Sequence, residues 1–159
     1  MAYRLQPLLN IRIMREDRAS GELTAARRAV STAQDAVEER KREFAEFERT
    51  KEERQDRIWA AVIGHTVGRD KIDLARDGVS RIDEEGALRL DNVHQAEAEL
   101  RRRQAAAEEA RAVFIAASKD RTKIDEHKSA WLEEEAKADE ARAEGELEDF
   151  TGRKQNLDD

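Results

Sequence analysis

The three histidines, His65, His94 and His127, are the side chains best suited to metal or acid–base chemistry in this sequence. No two of them have the i, i+4 spacing that places two imidazoles on one face of a helix. Cysteine is absent, which excludes disulfides and thiolate metal sites. The sequence therefore predicts no metal site and no cofactor.

Gly64 and Gly68 are spaced as in the first part of a phosphate-binding loop, but the Lys-Ser/Thr ending of that motif does not follow. Carboxylates are abundant, yet on long exposed helices they have no cleft that could shift their pKa. A solvated charged face is the simpler interpretation of these residues. We therefore predict no catalytic residues and no enzymatic activity.

The composition favours long helices over a globular core. Charged residues make up 42% of the chain and aromatic residues 4%, and the single proline is Pro7. The net charge is −7; residues 133–159 hold 11 acidic and 4 basic residues, and the remainder is neutral. An acidic chain is a poor match for nucleic-acid phosphates, and the one basic run, Arg101 to Arg103, is short. We therefore predict no nucleic-acid partner.

No apolar run approaches the roughly 20 residues that a membrane-spanning helix needs. The segment from Leu8 to Met14 is the most apolar part of the N-terminus, and Asn10 and Arg12 interrupt it, so it does not resemble a signal peptide. The sequence predicts a soluble protein that is not exported by the general pathway and does not insert directly into a membrane.

A heptad register that starts with Leu9 at position a describes the first half of the chain. Its a positions are Leu9, Glu16, Leu23, Val30, Val37, Phe44, Lys51 and Ile58, and its d positions include Leu5, Arg12, Ala19, Ala26, Ala33, Arg40, Phe47 and Arg54. From Ala19 to Val37 every a and d position is apolar. A sustained repeat of this kind is typical of a left-handed coiled coil.

Two glycines within residues 64–70 predict the turn, and a second heptad register follows it. We predict an all-α fold, a long antiparallel two-helix coiled-coil hairpin over residues 1–150. Helix 1 spans about 5–63, the turn about 64–70 and helix 2 about 71–150, with 151–159 a disordered tail. Gly78 and Gly86 predict a weak or irregular segment early in helix 2. We expect the isolated hairpin to be a monomer.

Apolar residues outside the a and d positions concentrate at the two tips of this predicted hairpin. Ile11, Ile13 and Met14 lie near the N-terminus, and Trp59, Val62 and Ile63 lie near the turn. Two explanations remain open: these residues pack on the hairpin itself, or each tip docks a partner, because exposed apolar patches mark interaction sites.

The N-terminal segment resembles the start of the type III secretion stalk proteins of the YscO group, which are similar in form to the flagellar export protein FliJ. The residues that carry the resemblance are Tyr3-Arg4-Leu5-Gln6-Pro7-Leu8-Leu9-Asn10-Ile11-Arg12 and Met14-Arg15-Glu16-Asp17-Arg18-Ala19. The length and the single break also match. Gly78, Gly86 and the acidic C-terminal segment depart from the family pattern.

The resemblance implies a central stalk that couples a hexameric secretion ATPase to the export-gate ring at the bacterial inner membrane; some members also handle export chaperones. By analogy with the gamma shaft of rotary ATP synthases, the end with both termini would enter the ATPase, through Arg4, Leu8, Ile11, Arg12, Arg15 and Arg18. The turn end would face the gate, through Trp59, Val62, Ile63 and Val67.

Two other functions remain open. The first is a generic coiled-coil scaffold, against which a monomeric hairpin would count. The second is a chaperone-like adaptor that grips clients with its tips and needs no ATPase. An enzyme is disfavoured because no constellation of catalytic side chains is present.

Overall fold

Two long helices make up the fold, and they pack against each other as a hairpin. The computed structural model describes residues 2–155, with side chains over residues 2–148. Helix α1 is Gln6–Ala60 and helix α2 is Arg69–Gln155. The predicted all-α hairpin is confirmed. Part of the predicted disordered tail, residues 156–159, lies outside the described residues, and α2 includes residues 151–155.

The ends of α1 follow from local backbone chemistry. Pro7 lies in the first turn, where a helix needs no amide donor, and the amide of Leu9 already donates to the carbonyl of Leu5. At the other end, the amides of Val62 and Ile63 both donate to the carbonyl of Trp59, each over 2.9 Å. Gly64 then takes a positive φ of 80°, a conformation that helix C-termini favour and that glycine adopts without strain.

The chain divides into two compact units. The terminal unit comprises Met1–Glu22 and Arg111–Asp159, and the turn unit comprises Leu23–Ala110. In the terminal unit, Tyr3, Leu9 and Ala19 are buried, and the ring of Tyr3 lies 5.4 Å from that of Trp131, centroid to centroid. This unit is therefore closed by an aromatic contact between the segment before α1 and α2.

The core of the turn unit is built from small and aliphatic residues of both helices together with one aromatic ring. The buried residues are Leu23, Ala33, Val37, Phe47, Ala75, Ile82 and Val93. All seven occupy a or d positions of one of the two registers, the second of which has Ile72 at position a. Phe47 is the most buried of them, at 3% exposed. A narrow stripe of apolar side chains on each helix is enough to hold a two-helix pair.

Gly78 and Gly86 do not interrupt α2, so the expected irregularity is absent over this helix. Both glycines make room for side chains of α1. A Cβ at position 86 would lie 2.7 Å from Cε1 of Phe47, and one at position 78 would lie 3.2 Å from Cδ1 of Ile58. The helix therefore loses some intrinsic propensity at these positions and gains close interhelical packing.

Charged residues at a and d positions of the turn unit form ion pairs across the two helices. Lys51 lies 3.1 Å from Asp83, and Arg54 lies 2.8 Å from Glu85. The guanidinium groups of Arg54 and Arg89 also lie 5.7 and 5.6 Å from the centre of the Phe47 ring, where cation–π attraction operates. These charges therefore take part in the helix contact and fix its register.

Candidate interaction surfaces

One face of α1 in the terminal unit combines arginines with apolar side chains. Leu8, Ile11, Arg15 and Arg18 follow one another at intervals of three, four and three residues, so they share one side of the helix. Arg4 lies in the turn that precedes α1. We call these five residues the N-terminal face.

The N-terminal face is open to solvent. Arg4, Arg15 and Arg18 are exposed, Ile11 is 47% exposed, and Leu8 is half-buried. Arg18 donates to Glu22, four residues further along the same helix, over 3.0 Å. An exposed ion pair of this kind contributes little to stability, so its arginine can exchange that partner for another at small cost.

Arg12, the sixth residue predicted for this surface, has a different environment. Its side chain is 28% exposed, and Nη1 donates to Oδ2 of Asp120 on α2 over 2.9 Å. Its Nε is buried without a hydrogen-bond partner among the described residues. Arg12 therefore holds the two helices of the terminal unit together, and its predicted contact with a partner stays a prediction.

Glu16 and Arg121 form the second ion pair between the helices of the terminal unit. Nη1 of Arg121 donates to Oε2 of Glu16 over 2.6 Å, and the Glu16 side chain is only 14% exposed. The hydrogen bond from Arg121 lowers the pKa of Glu16 against the opposing effect of desolvation, and the same contact raises the pKa of Arg121. This pair is charged throughout the physiological range.

A groove beside the N-terminal face is lined in part by residues of α2 that were not predicted to belong to this surface. Its volume is about 390 Å³, and its lining includes Arg15, Arg18 and Ala19 of α1 with Val113 and Ala117 of α2. Val113 is exposed and lies outside the heptad a and d positions. Only the register of the hairpin brings it beside Arg15, since the two residues are far apart in sequence.

Tyr3 and His127 are a second contact that sequence reasoning missed. The Tyr3 hydroxyl and Nδ1 of His127 share a hydrogen bond of 2.8 Å, and their rings lie 5.8 Å apart. Tyr3 also contacts Trp131, so it holds the segment that carries Arg4 against α2. The aromatic residue of the N-terminal motif is thus explained by packing.

The four residues predicted at the turn lie close together in sequence but differ in exposure. Ile63 is 70% exposed, whereas Trp59, Val62 and Val67 are half-buried. Leu74 of α2, which was not among the predicted residues, is 68% exposed. Ile63 and Leu74 are therefore the most accessible apolar side chains near the turn, and Trp59 is partly used in packing.

Neither helix has, within the described residues, a stretch that is long and apolar enough to cross a membrane. Over the same residues, no group of three or more His, Asp or Glu side chains has a geometry that could hold a metal ion.

Comparison with known proteins agrees with the layout of the hairpin. The family model described as type III secretion protein YscO matches residues 5–153. The solved structure of the YscO homologue CT670 from Chlamydia trachomatis is similar to this chain, with a TM-score of 0.72 and 22% sequence identity, over 96% of this chain and 93% of that one. No protein with a curated description matches significantly. Since the family model spans nearly all of its residues, this chain belongs to the YscO family of type III secretion proteins.

Proposed function

We propose that this protein is the central stalk of a bacterial type III secretion export apparatus, where it links the hexameric secretion ATPase to the export gate in the cytoplasm at the inner membrane. The family assignment supplies the secretion system. The observation that carries the stalk role is the N-terminal face, in which exposed arginines and Ile11 lie together on the segment that the family resemblance assigns to the ATPase.

The N-terminal face is suited to a ring of equivalent subunits. Arg4, Arg15 and Arg18 each offer a long, exposed cation, and contacts of this kind are individually weak and sensitive to salt. Ile11 adds apolar area between them. Such a surface can engage successive subunits without binding any one of them tightly. A shaft that favours one state of the ring then raises ATPase activity through differential binding.

Arg12 plays a structural part in this proposal. Because it pairs with Asp120, it keeps α1 against α2 and so presents Arg15 and Arg18 on a rigid support. The turn surface, with Ile63 exposed and Trp59, Val62 and Val67 half-buried, contacts the export-gate ring. Export chaperones are a further class of partner in this proposal.

The test is a titration of the cognate secretion ATPase with the wild-type protein and with Arg15→Glu/Arg18→Glu. Both side chains are exposed, so the double variant should keep its helicity by circular dichroism. We expect the wild type to stimulate ATP hydrolysis and the variant to lose most of that stimulation. A matched control is Arg27→Glu/Arg28→Glu, which makes the same change in charge at exposed positions of α1 outside the N-terminal face.

If both double variants stimulated ATP hydrolysis equally, the assignment of the N-terminal face to the ATPase would be contradicted. Absence of stimulation and of binding by the wild type would contradict the stalk role, and binding of unfolded clients without an ATPase would then favour the adaptor function.

A further inference from the structure

A groove near the turn shares Val62 with the turn surface and extends from it onto α2. It has a volume of about 490 Å³, and Ile58, Ala61, Ala75 and Gly78 are among the residues that line it. Val62 and Leu74 complete its apolar lining. Gly78 has no side chain to fill this space, and a Cβ at its position would lie 3.2 Å from Cδ1 of Ile58. The groove is therefore apolar and wide enough to receive a large side chain.

The only ionisable residues that line this groove are two cations, Lys71 and Arg81. Both are exposed, and neither forms an ion pair with any side chain over residues 2–148. By contrast, Lys51 and Arg54 of the turn unit each pair with an acidic residue of α2. Two unpaired cations beside an apolar groove complement a ligand that carries both negative charge and an apolar side chain.

We infer that the groove binds an acidic amphipathic segment of the export-gate ring protein. An apolar side chain of that segment enters between Leu74 and Ile58, and carboxylates on either side of it meet Lys71 and Arg81. This inference rests on the proposed contact between the turn surface and the gate, and it names the chemistry of the partner. Leu74, at 68% exposed, becomes covered on binding.

Charge and apolar area make separable contributions to this contact. Lys71→Glu/Arg81→Glu reverses both cations and leaves the apolar lining in place, whereas Leu74→Ser removes apolar area and leaves the cations. The matched controls are Arg76→Glu/Arg101→Glu and Leu88→Ser, exposed positions of α2 that do not line the groove. All four variants change exposed side chains, so circular dichroism should show intact helices.

The experiment measures binding of the full-length variants to the purified cytoplasmic domain of the cognate export-gate protein, at low and at raised salt. We expect both groove variants to bind about tenfold or more weakly, the controls to bind as the wild type does, and salt to weaken the wild type but not the charge-reversal variant. Each variant is also assayed for stimulation of the secretion ATPase, which should be unchanged.

The alternative outcomes are distinguishable. If the wild type binds the gate domain and both groove variants bind equally well, the inference is overturned and the gate contact stands. If Lys71→Glu/Arg81→Glu binds more tightly, the partner segment is basic and the inference is overturned. If the wild type does not bind the gate domain, the proposed gate contact fails and the inference fails with it. Self-association of the wild type in sedimentation, abolished by the charge reversal, would identify a second copy as the occupant and overturn the inference.

Discussion

At the scale of single residues, the pair formed by Glu16 and Arg121 makes the stability of the hairpin depend on pH. The pKa of Glu16 is lowered from its ordinary value of 4.5, chiefly by the hydrogen bond from Arg121. A carboxylate whose pKa is lower in the folded than in the unfolded state stabilises the fold fully above the unfolded pKa. That contribution is lost as the pH falls through the lower, folded pKa.

Glu16→Gln should therefore lower the melting temperature at about pH 7, and the difference from the wild type should shrink as the pH falls below the ordinary value of 4.5. Thermal unfolding, followed by circular dichroism at several pH values, measures the melting temperature and its dependence on pH. Glu38→Gln, at an exposed position of the same helix, serves as the control and should change the melting temperature little. If the difference in melting temperature between Glu16→Gln and the wild type stayed constant with pH, the ion pair would not be its cause.

Gly86 provides a second test at this scale, because propensity and packing predict opposite signs. In a helix interior, Gly→Ala is worth about 1 kcal/mol in favour of alanine. At position 86, however, the new Cβ would lie 2.7 Å from the Phe47 ring, which is 3% exposed and has two guanidinium groups close by. We expect Gly86→Ala to be destabilising.

Gly21→Ala is the matched substitution, since nothing lies within 4 Å of a Cβ at that helical position. It should stabilise the protein by about 0.5–1 kcal/mol, measured by chemical denaturation. If both glycine substitutions stabilised the hairpin, the close contact between Gly86 and Phe47 would be refuted.

At the scale of the helices, Phe47 is the main aromatic contribution of α1 to the interhelical contact. Phe44 and Phe47 occupy successive a and d positions, but Phe47 is buried while Phe44 is half-buried. Truncation of a buried phenylalanine costs about 3–5 kcal/mol through lost apolar burial and the cavity left behind. We expect Phe47→Ala to approach that range and Phe44→Ala to cost clearly less, as measured by denaturant unfolding. Equal costs would contradict the register.

The heptad pattern was sufficient to predict both helices and the hairpin, because a repeated apolar stripe leaves a helix few ways to bury it. It could not predict which positions are most deeply buried. That depends on the residue opposite, as when Gly86 faces Phe47. The same limit explains why the two glycines predict a weak segment of α2 that the structure does not have. Helix propensity is a local property, whereas the packing that a glycine allows depends on the residue opposite it.

The candidate surfaces, like the fold, could be predicted from the sequence only in part. The residues of the N-terminal face were identified through the family motif, but the ion pair of Arg12 with Asp120 could not be, because it joins residues that are distant in sequence. Val113 and Leu74 were missed for the same reason: their exposure follows from how α2 lies against α1.

At the scale of the whole molecule, the proposal assigns separate partners to the two units. In this proposal the terminal unit, which carries the N-terminal face, would contact the ATPase. The turn unit, which carries the turn surface, would contact the gate. Secretion requires both contacts in this account, so loss of either should reduce export even when the protein is folded and present at its normal level.

The most direct test of that assignment is site-specific photo-crosslinking in bacteria that carry the cognate secretion system. A photoreactive phenylalanine derivative replaces Ile11 of the terminal unit or Ile63 of the turn unit, both of which are exposed, with Arg28 as a background position. The account predicts an adduct with the secretion ATPase from position 11, an adduct with the export-gate protein from position 63, and neither from position 28. Adducts with the partners exchanged, or no ATPase adduct from position 11 in a strain that still secretes, would contradict it.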